Sequence, residues 1–306
     1  MNKTFYSNGK LLITGEYLVL NGAKALALPT KFGQSLQVSS IPNKIIIWTS
    51  YDADKSIWFE TELAFNDIIT AKNFEDANPI KNILVKILHQ ANLQNPDFLV
   101  SETGYKIETK LTFPRNWGLG TSSTLINNIA QWLQIDAFEL LRKSFGGSGY
   151  DIACARNNFP IKYQLDENET PIVEVVAFYP KYKENIYFVY LNKKQNSRHA
   201  IQNYMNKQQF LTKKTATISE ITNRMLLSPN LESTIDLLEH HEVILSDILE
   251  LETVKERLFS DFKGTIKSLG AWGGDFVMVL SKENPTNYFT SKGYDTILSY
   301  DEMILV

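Results

Sequence analysis

Apolar and polar positions alternate in short runs over residues 4–50: Lys10 to Thr14, Tyr17 to Leu20, Ala25 to Pro29, Gln34 to Ser39 and Lys44 to Thr49. A period of two predicts strands, and Asn21-Gly22 is a hairpin signal, so the chain is expected to open with antiparallel pairing. Trp58 to Phe65 adds another strand. The period then changes. Over Pro79 to Ala91, Ile80, Ile83, Leu84, Ile87 and Leu88 fall at helical spacing and predict an amphipathic helix. Tyr105 to Phe113 alternates, with Tyr105, Ile107, Thr109, Leu111 and Phe113 on one face, and leads through a glycine loop into Thr124 to Leu133. There Leu125, Ile126, Ile129, Ala130 and Leu133 predict a well-buried helix. A short helix over Ala137 to Ser144 follows.

A strand-rich stretch runs through Tyr163 and Ile172 to Phe178, and the polar segment Tyr179 to Asn185 has the composition of a crossing between domains. Ile186 to Leu191 restarts with a strand, and residues 199–209, 213–227 and 232–249 show helical spacing. In the last of these, Ile235, Leu238, Glu239, Glu242 and Leu245 trace one face, which sets two carboxylates on an otherwise apolar stripe. Strands are expected over Thr265 to Leu269 and Phe276 to Leu280, with short final ones over Tyr294 to Leu298 and Met303 to Val306. The length suits two domains, divided at the polar segment into residues 1–183 and 184–306.

Composition narrows this without changing it. The 306 residues are 43% hydrophobic and 21% charged, enough for two cores and against disorder. A net charge of -3 gives no general attraction to nucleic acid or an anionic membrane, so an anion site must be local. Cys154 is the single cysteine, which excludes an internal disulfide and fits a reducing compartment. His240 and His241 are adjacent, and His89 and His199 stand alone; all four are expected to be surface or partly buried residues, not metal ligands. No run is apolar enough for a signal or a membrane span, so a cytoplasmic protein is expected.

Five stretches carry candidate chemistry. Pro114 to Thr124 places Gly118 and Gly120 before Thr121, Ser122 and Ser123 at a helix start, where positive φ, close backbone approach and unpaired N–H groups suit a phosphate. The plainer alternative is an ordinary capped helix. Lys10 follows Ser7-Asn8-Gly9 at the head of a strand, and Gly15-Glu16-Tyr17 sets a carboxylate and a phenol at its far end. Gly146, Gly147 and Gly149 precede Asp151 at another helix start, where the aspartate would also serve as a simple N-cap. Gly270 to Asp275 joins two apolar strands with more glycine than a hairpin needs. A basic, hydroxyl-bearing loop, Asn192 to Arg198, suits an acidic substrate.

Three of these stretches, taken in chain order, resemble the motifs of the GHMP kinases, the superfamily of galactokinase, homoserine kinase, mevalonate kinase and phosphomevalonate kinase, over nearly the whole chain. Asn8 to Leu20 is similar to the first motif, Pro114 to Thr124 to the second (PxxxGLGSS), and Gly270 to Asp275 to the glycine-rich third. Gly15-Glu16-Tyr17, Ser148-Gly149-Tyr150-Asp151 and Gly273-Gly274-Asp275 lean toward phosphomevalonate kinase, and Gly149 to Ala153 resembles a bacterial GYDIA-type group.

The resemblance implies an N-terminal ribosomal-protein-like α+β domain and a C-terminal ferredoxin-like domain, with ATP and acceptor between them. It implies Asp151 and Lys10 as catalytic residues, and Asn116, Gly118, Leu119, Gly120, Thr121, Ser122 and Ser123 around the ATP phosphates, with Ser122 near Mg²⁺. Glu16, Tyr17, Ser148, Gly149, Ser197, Arg198, Gly273 and Gly274 are implied on the acceptor side. A small acidic metabolite is the implied partner, mevalonate or phosphomevalonate above all, and a homodimer is compatible with it. An ATP-dependent decarboxylase of the mevalonate diphosphate type and a catalytically silent ligand-binding member are the alternatives. This chain departs from the pattern at Asn8, where proline is usual, and at Trp272, where glycine is usual. The indole is expected to narrow the nucleotide or acceptor pocket. The acidic metal ligand is left unassigned, with Glu16 and Asp275 as substitutes.

Overall fold

A computed structural model describes residues 2–71, 75–193, 204–205 and 211–305. The chain packs into two compact units that interleave along the sequence. The first comprises Met1–Gly9, Phe32–Arg115 and Leu119–Arg156, and the second Lys10–Lys31, Asn116–Gly118 and Asn157–Val306. Strands β1 (Lys3–Thr14) and β2 (Ala25–Ile41) contribute residues to both.

In the first unit, the later part of β2 pairs antiparallel with β5 (Gly104–Leu111), β5 pairs in parallel with β3 (Ile45–Tyr51), and β3 pairs antiparallel with β4 (Ile57–Ala64). Alternation decides which face is covered: Ile46, Trp48 and Ser50 on β3 and Ile107, Thr109 and Leu111 on β5 are buried. Against this face pack helices from the set α1 (Phe65–Ile69), α2 (Pro79–Gln94), α3 (Thr121–Leu133), α4 (Ala137–Ser144) and α5 (Tyr150–Ala155). Leu84, Ile87, Leu88, Ile126, Ile129 and Leu140 join Leu36, Trp48 and Ile107 in one core. Helix α4 begins where Asp136 accepts from the amides of Phe138 and Glu139, a side-chain cap readable in the sequence.

The second unit holds the first part of β2, paired with β6 (Ile161–Leu165), and β6 with the edge strand β7 (Pro171–Val175). It also holds a separate antiparallel sheet. Strands β8 (Ile186–Tyr190), β9 (Thr265–Ser268), β10 (Phe276–Leu280) and β11 (Ile297–Ser299) lie in the order β11-β8-β10-β9. That order, fourth-first-third-second along the chain with helices in the two crossovers, is the ferredoxin-like arrangement that was expected. Helices α6 (Thr212–Leu226), α7 (Leu231–Leu249) and α8 (Val254–Leu258) precede β9, and α9 (Thr286–Ser291) precedes β11. Helix α7 packs on β9 and α6, and α8 also packs on β9. Val189, Ile266, Val277 and Val279 build a core with Phe259, Phe262 and Phe289. A last helix, α10 (Tyr300–Met303), follows β11 directly.

Three local expectations change. Leu18–Asn21 is a 3-10 turn closed by Gly22 at φ 79°, not a strand entering a hairpin. Ala25 to Ile41 is one long strand, because Pro29 and Gly33 sit within it without breaking it. Met303 ends a helix capped by Ser299 and Glu302, and Ile304 pairs in one isolated bridge to Thr30. The helix expected over 199–209 falls largely outside the described residues. Among the described residues, no helix is long and apolar enough to cross a membrane.

The packing of α3 can be tested at Ile129, whose side chain has no exposure. Ile129→Ala should lower stability by about 2–5 kcal/mol in urea denaturation; a loss below about 1 kcal/mol would mean that α3 is not seated in this core.

Candidate active site

In the first unit, α3 starts directly from the glycine loop. Its N-cap is Gly120, at φ 99°, and no side chain caps it, so the first-turn amides are not satisfied from that position. The hydroxyls beside them divide in two. Thr121 is half-buried and Ser122 exposed, whereas Ser123 is 1% exposed and its Oγ donates to the Gly120 carbonyl at 3.0 Å. Leu119 is buried as well. Behind the loop, Thr124 Oγ1 donates to Gln34 Oε1 at 2.9 Å, Asn128 Nδ2 donates to the Gln34 carbonyl at 2.8 Å, and Ser7 Oγ donates to Asn128 Oδ1 at 2.8 Å. This amide and hydroxyl network fixes the start of α3 on β1 and β2, a role the sequence reading did not give to Ser7, Gln34 or Asn128.

Helix α5 packs on α3 and begins in the same way, from Gly149 at φ 87°. Asp151 lies in its first turn and its Oδ1 accepts from the amide of Ile152 at 3.1 Å. The cap is therefore the glycine, and the simple N-cap reading of Asp151 does not hold. A carboxylate in a first turn is stabilised by the positive end of the helix dipole. Ser148 is half-buried and Gly149 buried in the same approach.

The second unit brings residues 116–118 of the glycine loop together with the stretches Lys10 to Tyr17 and Gly270 to Asp275. Lys10 Nζ donates to the Gly118 carbonyl at 3.4 Å, and the Tyr190 hydroxyl donates to the Asn116 carbonyl at 3.1 Å. Trp117 packs edge-on to Phe276, with ring centroids 5.3 Å apart. Gly118 has to be glycine: its φ is 71°, and a Cβ there would lie 2.5 Å from Asp275 Oδ2. Asp275 is thus set against the middle of the glycine loop, its amide donating to the Lys193 carbonyl and its carbonyl accepting from the Leu191 amide. Burial, then the charge of Asp275, pushes the Tyr190 phenol above its ordinary range.

The far end of β1 and the loop Gly270 to Asp275 meet a buried charged cluster. Glu16 and Lys267 are bonded to each other with no exposed surface on either side chain. Lys267 Nζ lies 3.2 Å from Glu242 Oε1, whose partner oxygen Oε2 accepts from Ser268 Oγ at 2.9 Å. The Trp272 indole N–H donates to Glu242 Oε1 at 3.1 Å, and the Tyr17 hydroxyl to the Ala271 carbonyl at 2.8 Å. The Gly15 amide donates to His241 Nε2 at 3.0 Å, so that nitrogen is an acceptor and the ring is neutral.

Several expectations are corrected here. Trp272 is 3% exposed and turns inward to a carboxylate, so it does not narrow a pocket. His241, expected near the surface, is wholly buried. Glu16, expected to face an acceptor, has its side chain enclosed, while Tyr17 retains slight exposure. The signal for this cluster was present in the two carboxylates on the apolar stripe of α7: Glu242 is 4% exposed, and its cation is Lys267, from the middle of a buried strand. Glu239, the other, stays at the rim and accepts from Thr265.

Of the remaining expected residues, Gly273 is at φ 83° in the same loop as Gly274. Ser197 and Arg198 lie outside the described residues. Lys10 belongs to one unit and Asp151 to the other. Among the described residues, no group of three or more histidine, cysteine or acidic side chains could hold a metal ion by itself.

Sequence comparison matches no family model and no curated protein. Comparison of folds is decisive. The mevalonate kinase of Methanococcus jannaschii superposes with a TM-score of 0.72 at 17% identity, over 100% of this chain and 99% of that one. The chain shares the fold of that enzyme. Streptococcus pneumoniae phosphomevalonate kinase, solved with phosphomevalonate and AMPPNP, gives a TM-score of 0.72 at 17% identity over 97% and 99% of the two chains. Lactococcus lactis galactokinase, solved with galactose, gives 0.64 at 13% identity over 100% and 95%.

The cluster makes a prediction about pH. Burial, against the opposing pull of Lys267, raises Glu16 from 4.5 to about 7. A raised pKa means that the folded state holds the proton more tightly, so this contribution is complete below pH 4.5 and is lost as pH rises through about 7. Burial, then the charge of Lys267, holds His241 well below its ordinary value, which acts in the opposite sense below pH 6.5. The difference in stability between wild type and Glu16→Gln isolates Glu16. It should fall by on the order of 3 kcal/mol between pH 4.5 and 7 in chemical denaturation; a difference that does not change with pH would contradict a raised Glu16.

Proposed function

We propose that the protein is an ATP-dependent kinase that transfers the γ-phosphoryl group to a small acidic metabolite, phosphomevalonate or mevalonate. The observation that carries this reading is the start of α3: a glycine N-cap, no capping side chain, and open Thr121 and Ser122 hydroxyls, which together form an anion cradle. It is supported by the fold, shared with kinases of mevalonate, phosphomevalonate and galactose. The division at residues 183 and 184 and a cytoplasmic location belong to the same proposal.

ATP and Mg²⁺, when bound, supply the phosphoryl group and neutralise its charge. The chain supplies position and donors, which is most of what a loose phosphoryl-transfer transition state requires. In this reading, Gly118, Gly120, Thr121 and Ser122 hold phosphate oxygens, Ser122 with an exposed hydroxyl suited to a metal that needs few protein ligands. Ser123 and Leu119 act through the backbone, and Asn116 through the loop that Tyr190 anchors. Asp151 accepts the proton of the attacking oxygen, and Lys10 offsets negative charge. Tyr17, Ser148, Gly149, Gly273 and Gly274 shape the acceptor side, with Ser197 and Arg198 adding a hydroxyl and a cation. Glu16 acts indirectly, by holding Lys267.

Asp151→Asn tests the division of roles. In a coupled ADP-release assay with phosphomevalonate or mevalonate, it should lower kcat by on the order of a hundredfold to ten-thousandfold. ATP affinity, measured by calorimetry, should stay within about threefold of wild type. A variant that turns over like wild type would remove Asp151 from the reaction.

A further inference from the structure

The loop Gly270 to Asp275 has an unusual backbone. Gly270, Trp272, Gly273 and Asp275 all have left-handed φ, at 59°, 55°, 83° and 52°. For glycine this carries little strain, but for a bulky residue such as tryptophan it costs on the order of 1–3 kcal/mol and persists only where the surroundings impose it. Trp272 has such surroundings. Its indole is 3% exposed, and the N–H meets Glu242 Oε1 at 3.1 Å, the same oxygen that lies 3.2 Å from Lys267 Nζ.

The neighbouring residue is held by a second route. The Ala271 carbonyl accepts from the Tyr17 hydroxyl at 2.8 Å, and Tyr17 is itself left-handed, at φ 59°. Tyr17 follows Glu16, the other carboxylate on Lys267, and Gly15 donates to His241, the neighbour of Glu242 on α7. Two consecutive loop residues are therefore tied to one ammonium group, Trp272 through Glu242 and Ala271 through Tyr17 and Glu16. Both ties lie inside the second unit.

We infer that Trp272 is a positioning residue: its bond to Glu242, with Lys267 as the hub, locks the loop Gly270 to Asp275 to the turn Gly15 to Tyr17, so that both are presented to the acceptor in one fixed conformation. The assignment of these loops to the acceptor rests on the kinase reading above. Where glycine would only permit the loop's backbone, the tryptophan and its buried carboxylate impose it. Releasing the indole lowers the fraction of molecules with the competent loop, which raises the apparent KM for acceptor and leaves the chemical step largely intact.

Three variants and two readouts test this. Trp272→Phe keeps an aromatic ring and removes the N–H; Trp272→Gly removes the strain and the latch together; Lys267→Met removes the hub's charge at similar length. In the ligand-free protein, amide hydrogen exchange of peptides covering 270–275 and 15–17 should rise about tenfold or more in Trp272→Phe, the scale of a lost bond to a charged group. Lys267→Met, if it folds, should raise both segments further. In kinetics, Trp272→Phe and Trp272→Gly should both raise the KM for acceptor about tenfold while kcat stays within about twofold.

Unchanged exchange in both segments, or a rise confined to 270–275, would overturn the lock. Wild-type KM in Trp272→Gly would overturn it too, because freedom of φ would then be all that the loop needs. If wild type transfers no phosphoryl group but exchange rises in both segments, the kinase reading fails and the lock stands. An active wild type with unchanged exchange in the variants gives the converse.

Discussion

The second unit depends on keeping one ammonium group, that of Lys267, in an interior closed to solvent. Neither Lys267 nor Glu16 has exposed side-chain surface, and an uncompensated charge there would cost several kcal/mol. Burial alone would push the lysine down, but Glu16 and then Glu242 overcome it and raise the lysine above its ordinary value. The arrangement is directional as well as neutralising. Each carboxylate belongs to a different element, Glu16 to the turn after β1 and Glu242 to α7, and Lys267 is on β9. A charge that must be satisfied from several sides fixes those elements to one another, more sharply than apolar contacts would.

The glycine-rich stretches divide into two kinds on this view. At Gly118 and at the caps of α3 and α5, glycine is required by geometry: a carboxylate crowds the Cα, or a helix starts from a left-handed residue. In the loop after β9 the backbone is equally unusual, yet two of its left-handed residues are Trp272 and Asp275, held by bonds to groups around them. Each solution delivers a fixed backbone. The first kind starts a helix without a side-chain cap, and the second places the loop beside the turn of Tyr17.

Much of the fold was legible in the sequence because its local signals agree. The helix Ala137–Ser144 was read with its bounds unchanged, since Asp136 caps it and Leu140 and Leu141 face the core. Phe276–Leu280 is apolar throughout and buried throughout. The errors came where local chemistry allowed two outcomes. Asn21-Gly22 is a good hairpin turn, but Gly22 closes a 3-10 turn instead; Pro29 and Gly33 look like breaks, but sit inside β2. The candidate site was legible as glycine, hydroxyl and carboxylate patterns. The cluster beneath it was legible only at Glu242, a carboxylate on an apolar stripe, because its partners Glu16 and Lys267 come from distant stretches and each alone looks solvated.

The central claim is that these loops serve phosphoryl transfer from ATP to a small acidic acceptor. Phosphorus NMR of the protein with ATP, Mg²⁺ and, in turn, mevalonate, phosphomevalonate, homoserine and galactose tests it most directly, because it observes the product and not only the loss of ATP. The account predicts ADP together with a new phosphate ester or anhydride resonance, formed with mevalonate or phosphomevalonate in preference to the neutral sugar. ATP left unconsumed with every acceptor, in a protein that also fails to bind nucleotide by calorimetry, would contradict it.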